Sequence, residues 1–179
     1  MKLFQKLFKK TKIHKNPIEY AKSLGVKLGK NVKIITMYEF PYLWPNFGSE
    51  PYLIEIGDNA KISFDVTFLT HDGGHHACQD LINKDTKIIT LGKIKIGKNC
   101  FIGCKSIIMP NVTIGDRSII GAGSIVTKNV PPGEVWAGNP AHFIKKTEDY
   151  AQKLQNQSIT EEKITLYNIV MSKRQQINK

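Results

Sequence analysis

Cysteine is scarce and odd in number, with only Cys78, Cys100 and Cys104 among 179 residues. Their spacing suits neither a disulfide framework nor a zinc site, and a reducing cytoplasm is the compartment expected. No stretch approaches the roughly 18 apolar residues of a spanning helix. The first ten residues, MKLFQKLFKK, lack the continuous apolar run of a secretory signal. Acidic residues are also few, 15 against 26 lysines and arginines, for a formal charge of +11. An anionic partner is therefore expected, whether coenzyme phosphates, nucleic acid or an acidic membrane face. The lysines are scattered and the aromatic residues do not alternate with them, so a nucleic-acid surface is not expected. The length allows one well-buried domain with short appendages and leaves little room for two.

The N-terminus places Leu3, Phe4, Leu7 and Phe8 on one helical face and Lys2, Lys6, Lys9 and Lys10 elsewhere. A basic amphipathic helix of this kind over residues 1–10 either makes peripheral contact with an anionic membrane or packs against the rest of the protein.

What the chain has in abundance is a period. Aliphatic residues recur at every sixth position as Ile96, Ile102, Ile108, Ile114, Ile120 and Val126. Glycine follows four of them (Gly97, Gly103, Gly115, Gly121), and a small side chain stands two residues before most (Cys100, Ser106, Ser118, Ser124). The register appears earlier as Ile56-Gly57, Ile62 and Phe68, and more faintly as Leu28-Gly29 and Ile34. Neither an α-helix nor a hairpin sheet repeats every six residues. A coil with three short flat faces does: each face needs one inward aliphatic residue, one small residue and a conformationally permissive corner, which the glycines are expected to supply. Stacked coils bury a continuous aliphatic column that no single repeat could stabilise alone.

Two segments break the period. Thr36 to Glu50 is rich in aromatic residues and proline, and residues 71–90 hold His71, His75 and His76. Interruptions of a solenoid fall in surface loops, where function resides more often than in the scaffold. From Lys145 onward the chain is polar, with Ser158 and Glu161 in capping-box spacing before Ile164, Leu166 and Ile169. The expected organisation is a basic helical segment over 1–25, a mainly β coil over 26–144 with an extended loop at 71–90, and a C-terminal helical tail over 145–179.

The run Ile114-Gly-Asp-Arg-Ser-Ile-Ile-Gly-Ala-Gly-Ser-Ile-Val-Thr-Lys-Asn-Val-Pro-Pro-Gly133, followed by Ala137-Gly-Asn-Pro-Ala141, carries a specific resemblance. Across residues 28–146 the chain resembles the hexapeptide-repeat acyltransferases, in particular the branch with galactoside, maltose and streptogramin acetyltransferases. The resemblance implies a left-handed parallel β-helix, a homotrimer with sites in clefts between coils, and acetyl-CoA as acyl donor with no metal required. It further implies coenzyme contacts from Cys104 and Ala122 near the pantetheine arm and from Thr127 and Lys128 further along. His142 and Lys145 would lie near the nucleotide phosphates, at positions where relatives often carry arginine. Independently of the resemblance, a multiply charged coenzyme needs positive side chains, and Lys128, Lys145 and Lys146 stand near the end of the coil. Surface lysines are more often simply solvated, and Lys146 is expected to be one of these.

Acetyl transfer to a hydroxyl needs a base for the hydroxyl proton and donors for the oxyanion. Histidine suits the first task at neutral pH. Thr70-His71 follows the Phe68 hexad as the matching pair does in similar sequences, so His71 is assigned as general base, with His75 and His76 as alternates. Asp72, Glu50 or Glu55 would orient its ring, and Asp72 is taken into the catalytic set. The aromatic insert, with Tyr42, Trp44, Asn46 and Glu50, is expected to hold the acceptor, or else Trp44 and Phe47 pack a subunit interface. Trp136 is expected to pack under the tail or to wall the coenzyme cleft. The expected acceptor is a sugar hydroxyl of a cell-surface polysaccharide or its precursor, with a streptogramin- or chloramphenicol-type xenobiotic as the alternative. Two readings of another class remain: a zinc site of the γ-carbonic-anhydrase kind built from the three loop histidines, and a non-catalytic basic scaffold.

Overall fold

The computed structural model describes residues 16–35, 44–81 and 90–156, together with 165, 167–169 and 172. The amphipathic N-terminal ten residues, Tyr42, and the Ser158, Glu161, Ile164 and Leu166 signals lie outside the described residues. The chain forms two compact units, residues 1–147 and 148–179.

The first unit is a left-handed parallel β-helix with three flat faces. Its first sheet stacks β1 (Lys27–Leu28), β3 (Ile54–Ile56), β6 (Ile94–Ile96) and β9 (Thr113–Ile114). The second stacks β2 (Lys33–Ile34), β4 (Lys61–Ile62), β7 (Phe101–Ile102), β10 (Ile119–Ile120) and β12 (Glu134–Gly138). The third stacks β5 (Thr67–Phe68), β8 (Ile107–Ile108) and β11 (Ile125–Val126). The register puts the hexad residues directly over one another: Leu28, Ile56, Ile96 and Ile114; Ile34, Ile62, Ile102, Ile120 and Trp136; Phe68, Ile108 and Val126. The eight fully buried isoleucine and phenylalanine hexad residues Ile56, Ile62, Phe68, Ile96, Ile102, Ile108, Ile114 and Ile120 form the centre of the core. Each contributes about 1.5–3 kcal/mol by leaving water.

The faces differ two residues before the column. On the first face that position holds aliphatic residues, Val26, Ile54, Ile94 and Val112, all buried. On the second it is small in the middle coils, at Ala60, Cys100 and Ser118, and two of these side chains donate to the coil above: Cys100 Sγ to the Gly115 carbonyl at 3.0 Å and Ser118 Oγ to the Pro131 carbonyl at 2.8 Å. A buried hydroxyl without such a partner would cost about 1–3 kcal/mol. Burial pushes the Cys100 thiol up to about 11.

The corner glycines do a different job from the one expected. Gly97, Gly103 and Gly115 are not at positive φ; a Cβ on each would come within 2.4–2.5 Å of the next coil. The left-handed corner lies three residues before the column instead, at Asn31, Asn59, Asp65, Asn99, Lys105, Asn111 and Arg117, with φ between 54° and 64°. Asparagine and aspartate bear this conformation best among residues with a Cβ.

Helix α1 (Pro17–Ser23) precedes the first coil. The Asn16 side chain accepts from Ile18 N–H at 2.9 Å, proline sits in the first turn, and Pro17 and Ala21 are buried. At the other end β13 (Ala141–Lys146) folds back antiparallel on β12 and covers the last edge of the second sheet. Lys145 and Lys146 thus belong to the coil's closing hairpin and not to the tail. The Asn139–Pro140 peptide in the turn is cis. Helix α2 (Thr147–Gln155) begins with Glu148 and Asp149, carries Lys153 in its last turn and buries none of its residues. Among the described residues no helix is long and apolar enough to cross a membrane.

Candidate active site

The aromatic insert rejoins the coil earlier than its composition suggests. Asn46 pairs in parallel with Thr67, exchanging backbone hydrogen bonds with Val66 and Phe68 at 2.8 Å. Phe47 thereby takes the hexad position beneath Phe68; it is 2% exposed, and the two rings stack with centroids 5.5 Å apart. The Asn46 side chain accepts from Gly48 N–H at 3.0 Å, a local turn contact. Trp44 is half-buried, edge-on against Tyr20 at 5.3 Å, and its Nε1 is buried with no hydrogen-bond partner among the described residues. Phe47 is core, so its place in a subunit interface is excluded.

Gly48 (φ 66°) turns the chain so that Glu50 reaches the end of the third face. A Cβ at Gly48 would stand 2.8 Å from both the Phe68 carbonyl and Thr70 Oγ1. Glu50 Oε2 accepts from the Thr70 hydroxyl at 2.6 Å and meets His71 Nδ1 at 2.9 Å, while Glu50 N–H donates to Thr70 Oγ1 at 3.3 Å. The Thr70 hydroxyl, then His71, holds the Glu50 carboxyl below its ordinary range. An ionised carboxylate only accepts, so the proton at the contact belongs to Nδ1, and the lone pair of the imidazole lies on Nε2. The His71 side chain is 48% exposed and that of Glu50 19%.

The carboxylate beside His71 is therefore Glu50 and not Asp72. Asp72 Oδ1 accepts from Gly74 N–H at 2.8 Å, capping its own loop. Glu55 is engaged by Lys93 at 3.0 Å on the first face. Glu50, expected at the acceptor, is bound to the base. His75 and His76 sit on the short 3-10 turn Gly74–Cys78 with ring centroids 4.2 Å apart, and His75 Nδ1 is buried with no partner among the described residues. Neither has a carboxylate contact among the described residues. Among the described residues no group of three or more histidines, cysteines or acids is placed to hold a metal ion. The histidine loop is tied at its base by a bridge between His71 and Leu91 and by the Thr90 hydroxyl, which donates to the Asp72 carbonyl at 2.5 Å.

The residues expected at the coenzyme fall on two corners. Gly103-Cys104 lies against Gly121-Ala122, with Gly123 N–H donating to the Cys104 carbonyl at 2.8 Å, and Gly121 lies against Ala137. His142 pairs with Ala137 across the closing hairpin. Cys104, Ala122 and His142 thus follow one corner, after the second face. A Cβ on Gly123 would meet nothing within 4 Å, so this corner has an open ledge. Thr127 and Lys128 lie on the other corner, after the third face, two coils beyond His71. Lys145 pairs with Val135. Lys146 Nζ donates to Glu134 Oε1 at 2.7 Å, and Trp136 Nε1 to Glu134 Oε2 at 2.8 Å; Lys146, then Trp136, holds that carboxyl below its ordinary range. Trp136 tops the second column as a packing residue.

Two residues have roles here that the sequence did not disclose. Thr70, 1% exposed, clamps Glu50, and Gly48 makes the approach possible.

The model of bacterial transferase hexapeptide repeats matches residues 93–128. Protein CapG of Staphylococcus aureus is 41% identical over 174 residues, covering 93% of this chain and 94% of that protein. A maltose O-acetyltransferase from Clostridium difficile 630 superposes with a TM-score of 0.54 at 28% identity, covering 81% of this chain and 83% of that one. A galactoside acetyltransferase in complex with coenzyme A superposes with a TM-score of 0.50 at 28% identity, covering 75% of this chain and 72% of that one. The chain belongs to the hexapeptide-repeat transferase family.

Proposed function

We propose that the chain is an acetyl-CoA-dependent O-acetyltransferase that uses His71 as its general base and takes a sugar hydroxyl as acceptor. The observation that carries this reading is the contact of His71 Nδ1 with Glu50 at 2.9 Å, which leaves Nε2 as the proton acceptor. In the reaction Nε2 takes the acceptor's hydroxyl proton as its oxygen forms a bond to the thioester carbonyl. The carbon–sulfur bond then breaks, and the imidazolium returns the proton to the departing thiolate. Glu50 stabilises the imidazolium between the two steps.

Coenzyme A, named in the galactoside acetyltransferase structure, fits the residues of this chain. The ledge beside Cys104 and Ala122 is open at Gly123, which leaves room for the pantetheine arm. His142 and Lys145 on the closing hairpin supply donors for phosphates. Thr127 and Lys128 stand on the other corner of the coil, so one chain does not gather the whole coenzyme set on one edge. A homotrimer, in which one chain's ledge faces its neighbour's His71 corner, would unite them, and that assembly is part of the proposal. So is the tripartite organisation with a helical segment before residue 26 and a helical tail.

The acceptor is assigned to a cell-surface polysaccharide or its precursor. The two sugar acetyltransferases named above support the sugar, and the basic amphipathic N-terminus supports access to lipid-linked intermediates at the inner face of the membrane. The test is release of free CoA from acetyl-CoA by the wild type and His71→Ala, across sugars, nucleotide sugars and streptogramin or chloramphenicol acceptors. Sugar-dependent release lost in the variant is expected. Release only with the drugs would transfer the activity to the xenobiotic class.

A further inference from the structure

Glu50 is held in place by a residue that touches neither the acceptor nor the donor. We propose that Thr70 is a positioning residue for acetyl transfer, which acts through Glu50 to fix the tautomer of His71. The proposal rests on the reading of His71 as the base.

The Thr70 hydroxyl lies inside the coil at 1% exposure, so no substrate reaches it. It makes two contacts with one residue, donating to Glu50 Oε2 at 2.6 Å and accepting from Glu50 N–H at 3.3 Å. The glutamate is thereby gripped at its backbone and at its carboxylate. The same Oε2 meets His71 Nδ1 at 2.9 Å, so a single oxygen serves two neighbours in sequence, Thr70 and His71. An ion pair this exposed, with side chains at 48% and 19% exposure, is worth little when its members are free to rotate. The buried hydroxyl removes that freedom from the carboxylate. The imidazole is then met by a fixed acceptor at Nδ1, and its lone pair stays on Nε2.

A simpler role for Thr70 is to fill the coil corner, where a Cβ on Gly48 would already stand 2.8 Å from its hydroxyl. Valine has the same shape without the hydroxyl and separates the two roles. The hydroxyl is also the first cause of the lowered Glu50 carboxyl, and His71 is the titratable group acting on Glu50 from the neighbouring element. Without the hydroxyl, Glu50 would be protonated at higher pH and would hold Nδ1 less firmly.

The experiment compares the wild type, Thr70→Val and Thr70→Ser by the 15N shifts of the His71 ring and by kcat and KM. The wild type is expected to hold the proton on Nδ1. Thr70→Val should populate both tautomers, lose about tenfold in kcat, the equivalent of one hydrogen bond, and keep its KM for acetyl-CoA. Thr70→Ser should restore the tautomer and the rate. A Thr70→Val protein with the wild-type tautomer and kcat would overturn the proposal, as would a Thr70→Ser protein as impaired as the valine variant. If the valine variant does not fold by circular dichroism, Thr70→Ala replaces it with the same two outcomes. The ring spectra need no turnover, so they decide whether Thr70 fixes the His71 tautomer separately from the rates, whose absence in the wild type would defeat the proposed function instead.

Discussion

Phe47 lies flat beneath Phe68, with ring planes 7° apart and centroids 5.5 Å apart, although the hexad interval to the coil below is not kept in the sequence. The ring completes the third column at the point where the aromatic insert rejoins the coil, and Gly48 and Glu50 follow from it. Phe47→Ala should lower unfolding free energy by about 3–5 kcal/mol, the usual cost of removing a buried ring. Urea denaturation checks this. Activity at a temperature where the variant is folded should also fall, because the turn that delivers Glu50 loses its anchor.

Glu50→Gln should keep the fold and lose the rate. The amide can offer a donor to Nδ1, which favours the tautomer with its proton on Nε2; a loss of about 100-fold or more in kcat is expected by comparison with amide replacement in catalytic triads, with little change in KM for acetyl-CoA. The Glu50 carboxyl is lowered in the folded protein, first by Thr70 and then by His71. Its contribution to stability is therefore present above the unfolded carboxyl pKa and is lost as pH falls through the folded one. The Tm difference between the wild type and Glu50→Gln should be constant near neutrality and shrink below about pH 4.

The tight approach of the coils should be measurable at one corner. On Gly103 a Cβ would stand 2.5 Å from the Ala122 backbone nitrogen, so Gly103→Ala should destabilise by about 1–3 kcal/mol through overpacking. Asn99 has room but a left-handed backbone (φ 57°). Asn99→Gly should be close to neutral, and Asn99→Val should cost about 1–2 kcal/mol. Thermal melts of the three variants would separate contact from conformation.

Thiol alkylation should read the coenzyme corner directly. Cys78 is exposed, Cys104 half-buried and Cys100 buried with its thiol pushed up to about 11. In the folded protein Cys78 should react first and Cys100 only on unfolding. Coenzyme A should slow labelling of Cys104 and leave Cys78 unaffected. Equal labelling of Cys104 with and without coenzyme would remove that corner from the binding site.

Positive charge on the other corner should matter for the donor and not for the chemistry. Lys128→Ala should raise KM for acetyl-CoA several-fold, about 1 kcal/mol of lost phosphate contact, with kcat preserved and the effect weakened by salt. An unchanged KM would assign Lys128 to solvent.

The coil was legible because its rule is local. From Ile96 to Val126 every sixth residue obeys it without interruption, and the parallel register follows from that spacing. The corner rule was just as local but was hidden by chemistry: Asn59, Asn99 and Asn111 mark it plainly, whereas Lys105 and Arg117 occupy the same left-handed position and hide the pattern. His71 could be read because it follows the Phe68 hexad. Its carboxylate could not, since Glu50 meets it only after an insert has been folded back under the third face. Asp72, next in sequence to the base, was the natural choice, and the turn capping Gly74 is why it is not the partner.

In β13 the chain runs against the direction of every other described strand. A coil that ended on another parallel rung would offer a passing molecule the same template that it had offered its own next turn. Ala141–Lys146 withdraws that offer from the second sheet. The height of the column is thus decided by where the hairpin is placed and not by the repeat, which has no internal reason to stop. An eighteen-residue duplication such as the interval from Ile96 to Ile114 would add a storey while the same terminator closed it. The scaffold can therefore be lengthened or shortened below its lid, with the corner that carries His71 left untouched.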